Sequence, residues 1–268
     1  MKIHFIAGLT RSGSTLLAGI LKQNPAFVAG PTSPALRIFQ GIEYATSHEN
    51  ELACSLSDTQ KLALRRSVFT SMYPENKVIF DKHHVWTIKM GVLAHLFPEA
   101  VIIANVRHVS WIMDSWERTY QSSPLEMSKF FGFKTDTTVY MRCAKLGGTD
   151  GSVGRPLDAL KEAYWGPWRD RLHLVDYMQL VTKPEATMRR IYERIGEPYF
   201  QHDFENVEIS FDAFDGHMGM PGLHKVGRKV KFVPRDTILP PDLFDRYRDD
   251  NFWTSSHRAW RPPAQEVA

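Results

Sequence analysis

The chain is 268 residues long, with 43% hydrophobic and 24% charged residues. That is the usage of a globular protein, and it excludes a disordered tail, a collagen-like fibre and a disulfide-stapled miniprotein. Its 33 Lys and Arg against 30 Asp and Glu leave a net charge of +3, too small for a surface built throughout for nucleic acid.

The apolar run Ile3–Ala7 predicts a strand ending at Gly8. Leu16, Leu17, Ile20 and Leu21 then recur at helical spacing until Pro25, so strand, glycine-containing loop and helix follow one another. A helix carrying Glu43 is expected after Pro31–Pro34. Lys77–Asp81 predict a second strand, and Ile88, Val92, Leu93 and Leu96 a helix after it. Ala100–Val106 predict another strand, followed by a helix face at Val109, Ile112, Met113 and Trp116. Residues 119–160 fit this alternation worst and read as a helical insertion over the sheet. Leu172–Asp176 predict a further strand. Thr182-Lys183-Pro184-Glu185 reads as a capping box with proline in the first turn, opening a helix that runs to Gly196. Residues 216–241 read as a long loop rich in Gly, Pro and base. Strands alternating with helices imply an α/β fold with a parallel sheet covered on both faces. The expectation is one domain over residues 1–268.

Two cysteines, Cys54 and Cys143, lack metal-ligand spacing and read as free thiols of a reducing compartment. No run of about 18 apolar residues and no signal-peptide core is present, so a cytoplasmic protein without stable membrane insertion is expected.

The most informative stretch follows the first strand. Gly8 and Gly13 have P-loop spacing, with Ser14 and Thr15 next. Backbone N–H groups of Ser12, Gly13, Ser14 and Thr15 would converge at a helix N-terminus, where the helix dipole favours an anion. A nucleotidase loop carries Lys immediately before its final Ser/Thr; here that position is Ser14. The loop's cation is Arg11, three residues earlier. The site therefore suits an anion with less charge than a triphosphate with Mg²⁺.

Leu9-Thr-Arg-Ser-Gly-Ser-Thr-Leu-Leu17 resembles the 5′-phosphosulfate loop of the sulfotransferases that use 3′-phosphoadenosine 5′-phosphosulfate. Arg11 stands where the family usually has Lys, and Thr10 where it usually has Pro. The resemblance implies a P-loop-like fold and that donor as co-substrate, with no metal. It extends to Arg107 at a strand end and Ser115 eight residues on, the family's pair for the donor's 3′-phosphate. Arg107 offers a planar fork for phosphate oxygens, and Ser115 lies off the apolar stripe of its helix. Tyr177, at the end of Leu172–Asp176, matches the family's adenine contact. The segment 222–231, with Lys225, Arg228 and Lys229, resembles its basic loop over the 3′-phosphate.

Lys82-His83-His84 follows the Lys77–Asp81 strand as the family's Lys-x-His does. The resemblance implies Lys82 as the cation at the leaving phosphate and His84 as general base, with His83 a close rival and Glu43 in reserve. A positioned base contributes about 10²–10⁴-fold, and a cation near the leaving group stabilises the charge it gains. The expected reaction is sulfuryl transfer to a hydroxyl or amine of a small-molecule acceptor. Two alternatives stand beside it. One is a Mg²⁺-dependent small-molecule kinase with a deviant loop, Thr15 and Asp81 holding the metal. The other is a nucleotide- or polyanion-binding module built on the basic loop. Trp86, Trp111, Trp165 and Trp168 are available for an aromatic acceptor pocket.

Overall fold

A computed structural model describes residues 1–254 apart from 49, 124, 135 and 136. Five parallel strands form one sheet: β1 (Lys2–Gly8), β2 (Phe27–Ala29), β3 (Val78–Lys82), β4 (Ile102–Val106) and β5 (Leu172–Asp176), in the order β2-β3-β1-β4-β5. The described α-helices are α1 (Ser14–Leu21), α2 (Ala35–Ala45), α3 (Asp58–Met72), α4 (Met90–Leu96), α5 (Val109–Gln121), α6 (Val139–Gly147), α7 (Gly154–Trp165), α8 (Tyr177–Thr182), α9 (Pro184–Ile195), α10 (Asp212–His217) and α11 (Pro241–Arg246). The expected α/β class is present, and so are the expected strands.

Side chains of a strand alternate between faces, so each strand feeds two cores. Phe5, Ala7, Ile79, Ile102 and Ala104 pack with Phe39, Phe69, Trp86 and Ile112 on one face. Ile6, Phe80, Ile103 and Val175 pack under α1 and α9 on the other. The first face is dense in aromatics: the Phe5 ring lies 5.5 Å from Phe69, 5.1 Å from Trp86 and 6.1 Å from Phe97. Each such ring contributes about 1.5–3 kcal/mol by leaving water. The register pairs Ile6 with Lys82, Gly8 with Asn105 and Val106 with Asp176, so these strand ends share the carboxyl edge of the sheet. Parallel α/β sheets place their ligand crevice there, where the chain reverses strand order.

Three local features differ from expectation. β2 is a short edge strand of three residues, without enough pattern to announce itself. The insertion is built by α6 and α7, and α7 runs on to Trp165. The capping box at Thr182 does not form. Thr182 is the last residue of α8, whose N-terminus is capped by Asp176; its hydroxyl donates to the Met178 carbonyl at 2.6 Å. Glu185 pairs with Arg189, and α9 starts on Pro184 without a side-chain cap. A box forms instead at Ser57 and Gln60, opening α3.

α6 is held to α5 by a buried forked ion pair. Arg142 donates to Glu117 at 2.9 and 2.6 Å and lies 4.0 Å above the Tyr120 ring. Removing one partner strands a buried charge, which costs about 3–5 kcal/mol, whereas removing both with apolar replacements costs much less. Arg142→Met is therefore expected to lower stability by roughly 3 kcal/mol in urea unfolding, and adding Glu117→Leu to restore most of it.

Candidate active site

The loop from Gly8 to α1 is shaped by three residues with left-handed backbone: Gly8 (φ 92), Arg11 (φ 54) and Gly13 (φ 89). Gly8 is required by close approach, since a Cβ there would lie 2.3 Å from the Asn105 carbonyl oxygen. Gly13 is pressed against the Tyr177 ring in the same way, at 2.9 Å. Leu9 N–H donates to Asn105 O at 2.8 Å and Gly8 N–H to His84 O at 3.2 Å, tying the loop to β4 and to the end of β3. The Ser12 hydroxyl donates back to Leu9 O, and Ser12 and Ser14 are buried. Arg11 pays roughly 1–2 kcal/mol for its backbone. Its side chain holds it there: Nε donates to Ser115 Oγ at 3.1 Å and a terminal N–H to Leu223 O at 2.5 Å.

Three cations surround this loop. Lys82 is 3% exposed; its ammonium donates to Thr15 Oγ1 at 3.3 Å and to Pro31 O. Burial, and then the charge of Arg11, push its pKa down to about 7. Arg11 is pushed down to about 10 by burial, then by Arg107 and Arg235. Arg107 donates to Arg11 O at 3.2 Å, lies 4.2 Å over the Tyr177 ring, and is lowered mainly by burial. Mutual repulsion among buried cations is what an anion would relieve. Arg11, Lys82, Arg107, Ser115 and Tyr177 are thus brought together as the sequence indicated. The Ser115 hydroxyl differs in detail: it accepts from Arg11 and is buried rather than open.

Both histidines after β3 flank the loop. His83 is lowered to about 4 by burial, then by Lys82, Arg37 and Arg155; its Nδ1 accepts from Val85 N–H at 3.4 Å. His84 is driven well below its ordinary range by burial, then by Lys82, His83 and His224. Its Nδ1 is buried with no partner among the described residues. Sequence reasoning missed a further imidazole. His224 bonds to the buried carboxylate of Asp215, and its charge is felt at His84. The available signal was a histidine inside the basic segment; its acidic partner lies one residue before the expected loop 216–241, in α10.

Other expected residues sit elsewhere. Arg228 and Lys229 are exposed and face Glu208 at 3.5 Å and Glu205 at 2.7 Å. Lys225 is exposed. The cation of this segment whose charge reaches Arg11 and Arg107 is Arg235, anchored to the fully buried Asp114 at 2.7 Å. Glu43 is paired with Lys89 at 2.6 Å. Asp81 does not face the loop: it lies on the opposite face from Lys82. Ser33 and Tyr73 donate to its Oδ2 at 2.5 Å each, and Trp86 to its Oδ1 at 2.6 Å. A metal role with Thr15 is thereby excluded for it. Trp86 is core, and Trp111, Trp165 and Trp168 pack against Phe244, Tyr164 and His95 respectively, not around one pocket. Among the described residues no group of three or more His, Cys, Asp or Glu is arranged to hold a metal ion. No helix among them is long and apolar enough to cross a membrane.

The sulfotransferase family model matches residues 4–201. Nodulation protein NoeE of Sinorhizobium fredii is 25% identical over 216 residues, covering 72% of this chain and 50% of that protein. The chain therefore spans about half the length of this curated relative. A sulfotransferase domain from the curacin biosynthetic pathway superposes with a TM-score of 0.52 at 18% identity, over 97% of this chain and 93% of that one. A sulfotransferase from Alicyclobacillus acidocaldarius gives 0.51 at 13% identity, over 79% and 86%. Retinol dehydratase in complex with retinol and PAP gives 0.50 at 12% identity, over 98% and 84%. At these identities the structural likeness is one of fold.

Lys82 loses its proton near pH 7 when folded and near 10.5 when unfolded. The penalty for burying it is therefore complete below about pH 7 and fades as pH rises toward 10.5. Lys82→Met is expected to raise Tm by several degrees at about pH 6, and by less at about pH 9.5, in thermal melts of the ligand-free chain.

Proposed function

The chain belongs to the sulfotransferase family, and on that premise we propose that it moves a sulfuryl group from 3′-phosphoadenosine 5′-phosphosulfate to a hydroxyl or amine of a small-molecule acceptor, by in-line displacement with a histidine as base. The observation that carries this reading is the 3.1 Å bond from Arg11 to Ser115, residues 104 positions apart. It joins the 5′-phosphosulfate loop to a residue of the 3′-phosphate pair, as one compact donor with phosphate at both ends requires. The PAP bound in the structurally similar retinol dehydratase supports the same donor class.

Each side chain has a role in this reading. Backbone N–H groups of Ser12, Gly13, Ser14 and Thr15 and the α1 N-terminus hold the 5′ end. Lys82, beside Thr15, stabilises the charge that gathers on the leaving phosphate. A dianion beside it keeps its ammonium protonated, reversing the effect of burial. Arg107 and Ser115 take the 3′-phosphate, with Arg235 as the basic-segment cation that the charges favour over Arg228 and Lys229. Lys225, exposed and in the same segment, closes over the donor. Tyr177, under Arg107, offers its ring to adenine. One domain over the whole chain carries these parts, with no metal and no nucleic-acid partner. The free thiols Cys54 and Cys143 support a cytoplasmic setting.

Thermal shift separates this reading from its rivals. Adenosine 3′,5′-bisphosphate at 100 times its Kd is expected to stabilise the chain by about 2.7 kcal/mol, with ATP–Mg²⁺ and heparin giving much less. Arg107→Ala should weaken that binding at least tenfold. Stabilisation by ATP–Mg²⁺ without response to the bisphosphate would overturn the assignment.

A further inference from the structure

We infer that His224, oriented by Asp215, is the general base that takes the acceptor proton. The inference rests on the sulfuryl-transfer reading and names the imidazole that serves it. Asp215 lies in α10 and its side chain is fully buried. Its Oδ1 accepts the His224 Nδ1–H at 2.6 Å, and its Oδ2 accepts the His224 backbone N–H at 2.7 Å. Two bonds from one carboxylate fix both the position of the ring and its tautomer. The proton stays on Nδ1, and the lone pair sits on Nε2. That nitrogen has no hydrogen-bond partner among the described residues. The side chain is 11% exposed, so it is sheltered but reachable. Phe214 and Phe211 meet the ring edge-on at 5.6 and 6.5 Å and hold its plane.

The dyad faces the phosphate loop. Leu223, the residue before His224, accepts from Arg11 through its carbonyl. The groups that act on the His224 ring are Asp215 from α10, Lys82 and His84 from the end of β3, and Arg11 from the loop. The two imidazoles expected from the sequence lack such an orienting group. His83 turns Nδ1 to its own chain at Val85. Among the described residues His84 Nδ1 is buried without a partner, and no carboxylate acts on either ring. Asp81, the nearest acid in sequence, is committed to Ser33, Tyr73 and Trp86 on the other face.

The step balances with the two substrates. A lone pair of the acceptor oxygen forms the new O–S bond as the S–O bond to the 5′-phosphate breaks. The electron pair of that bond stays on the phosphate. The acceptor proton passes to His224 Nε2, giving an imidazolium that the Asp215 carboxylate stabilises and that later releases its proton to water.

The test uses the full chain with sulfur-labelled donor, measuring transfer to water and to a panel of phenols and aliphatic alcohols, alongside bisphosphate affinity and thermal melting. His224→Ala and His224→Gln are expected to lower kcat on the order of 10²–10³-fold while bisphosphate Kd stays within threefold. Gln keeps the bulk of the ring but cannot take a proton, so it controls for packing. Asp215→Asn is expected to lower the plateau and to move the acid limb of the pH–rate profile to lower pH, because the carboxylate raises the imidazole's pKa. His224→Ala turning over within threefold of wild type overturns the inference. So does a loss confined to bisphosphate affinity, which marks His224 as a loop anchor. A wild-type chain that neither binds the bisphosphate nor consumes the donor removes the sulfuryl-transfer reading itself.

Discussion

The site depends on one electrostatic arrangement: Arg11, Lys82 and Arg107 are held close in low dielectric, where Arg107 makes it harder for Arg11 to stay charged and Arg11 does the same to Lys82. Burial accounts for most of the effect, and like-charge repulsion adds to it. Such an arrangement is unfavourable for the empty chain, so the fold must hold it by other means. It does so with backbone bonds from the loop to β3 and β4, with the glycines that allow those strands to approach, and with the bonds that fix Arg11 at both ends of its guanidinium. An anion seated among these cations would recover the interaction energy that they lack without it.

Sheet parity decides which chemistry can meet at this point. Asp81 and Lys82 are adjacent in sequence but project to opposite faces of β3, across from Phe5 and Ile6 of β1. The carboxylate enters the aromatic core, where burial raises its pKa against three donors that lower it. The ammonium enters the phosphate-loop side. A shift of one residue would exchange them, giving a loop with a carboxylate and a core with a cation. The anion preference of the site and the structural use of Asp81 are thus the same fact seen from two faces.

The legible parts of this chain are those set by local rules. The strand Ile3–Ala7, the glycines of the loop and the first helix follow from residue pattern alone, whereas Arg107 and Tyr177 are singled out among strand-end residues only by the family resemblance. Ser115 could be placed on its helix but not given its partner, because Arg11 reaches it from 104 positions away. The Thr182 box failed for a physical reason: Asp176 starts a short helix just upstream, so Thr182 is already inside helical backbone and bonds to Met178. Arg228 and Lys229 looked available because their acidic partners lie on the facing segment of 204–208, which local spacing does not reveal. Asp215 and His224 were hidden similarly, in a stretch where Gly and Pro suppress any periodic pattern.

The segment after α10 has no regular structure from 218 to 240, yet it delivers two of the site's groups, Arg235 and His224. Each is fixed by a buried carboxylate rather than by helix or strand: Asp114 in α5 holds Arg235, and Asp215 holds His224. A charged hydrogen bond in low dielectric is stronger and more directional than the loop's few apolar contacts, so it can set side-chain geometry where backbone cannot. The same segment is joined to the phosphate loop through Leu223 and Arg11. The phosphate loop and the segment that carries His224 are therefore joined through one guanidinium.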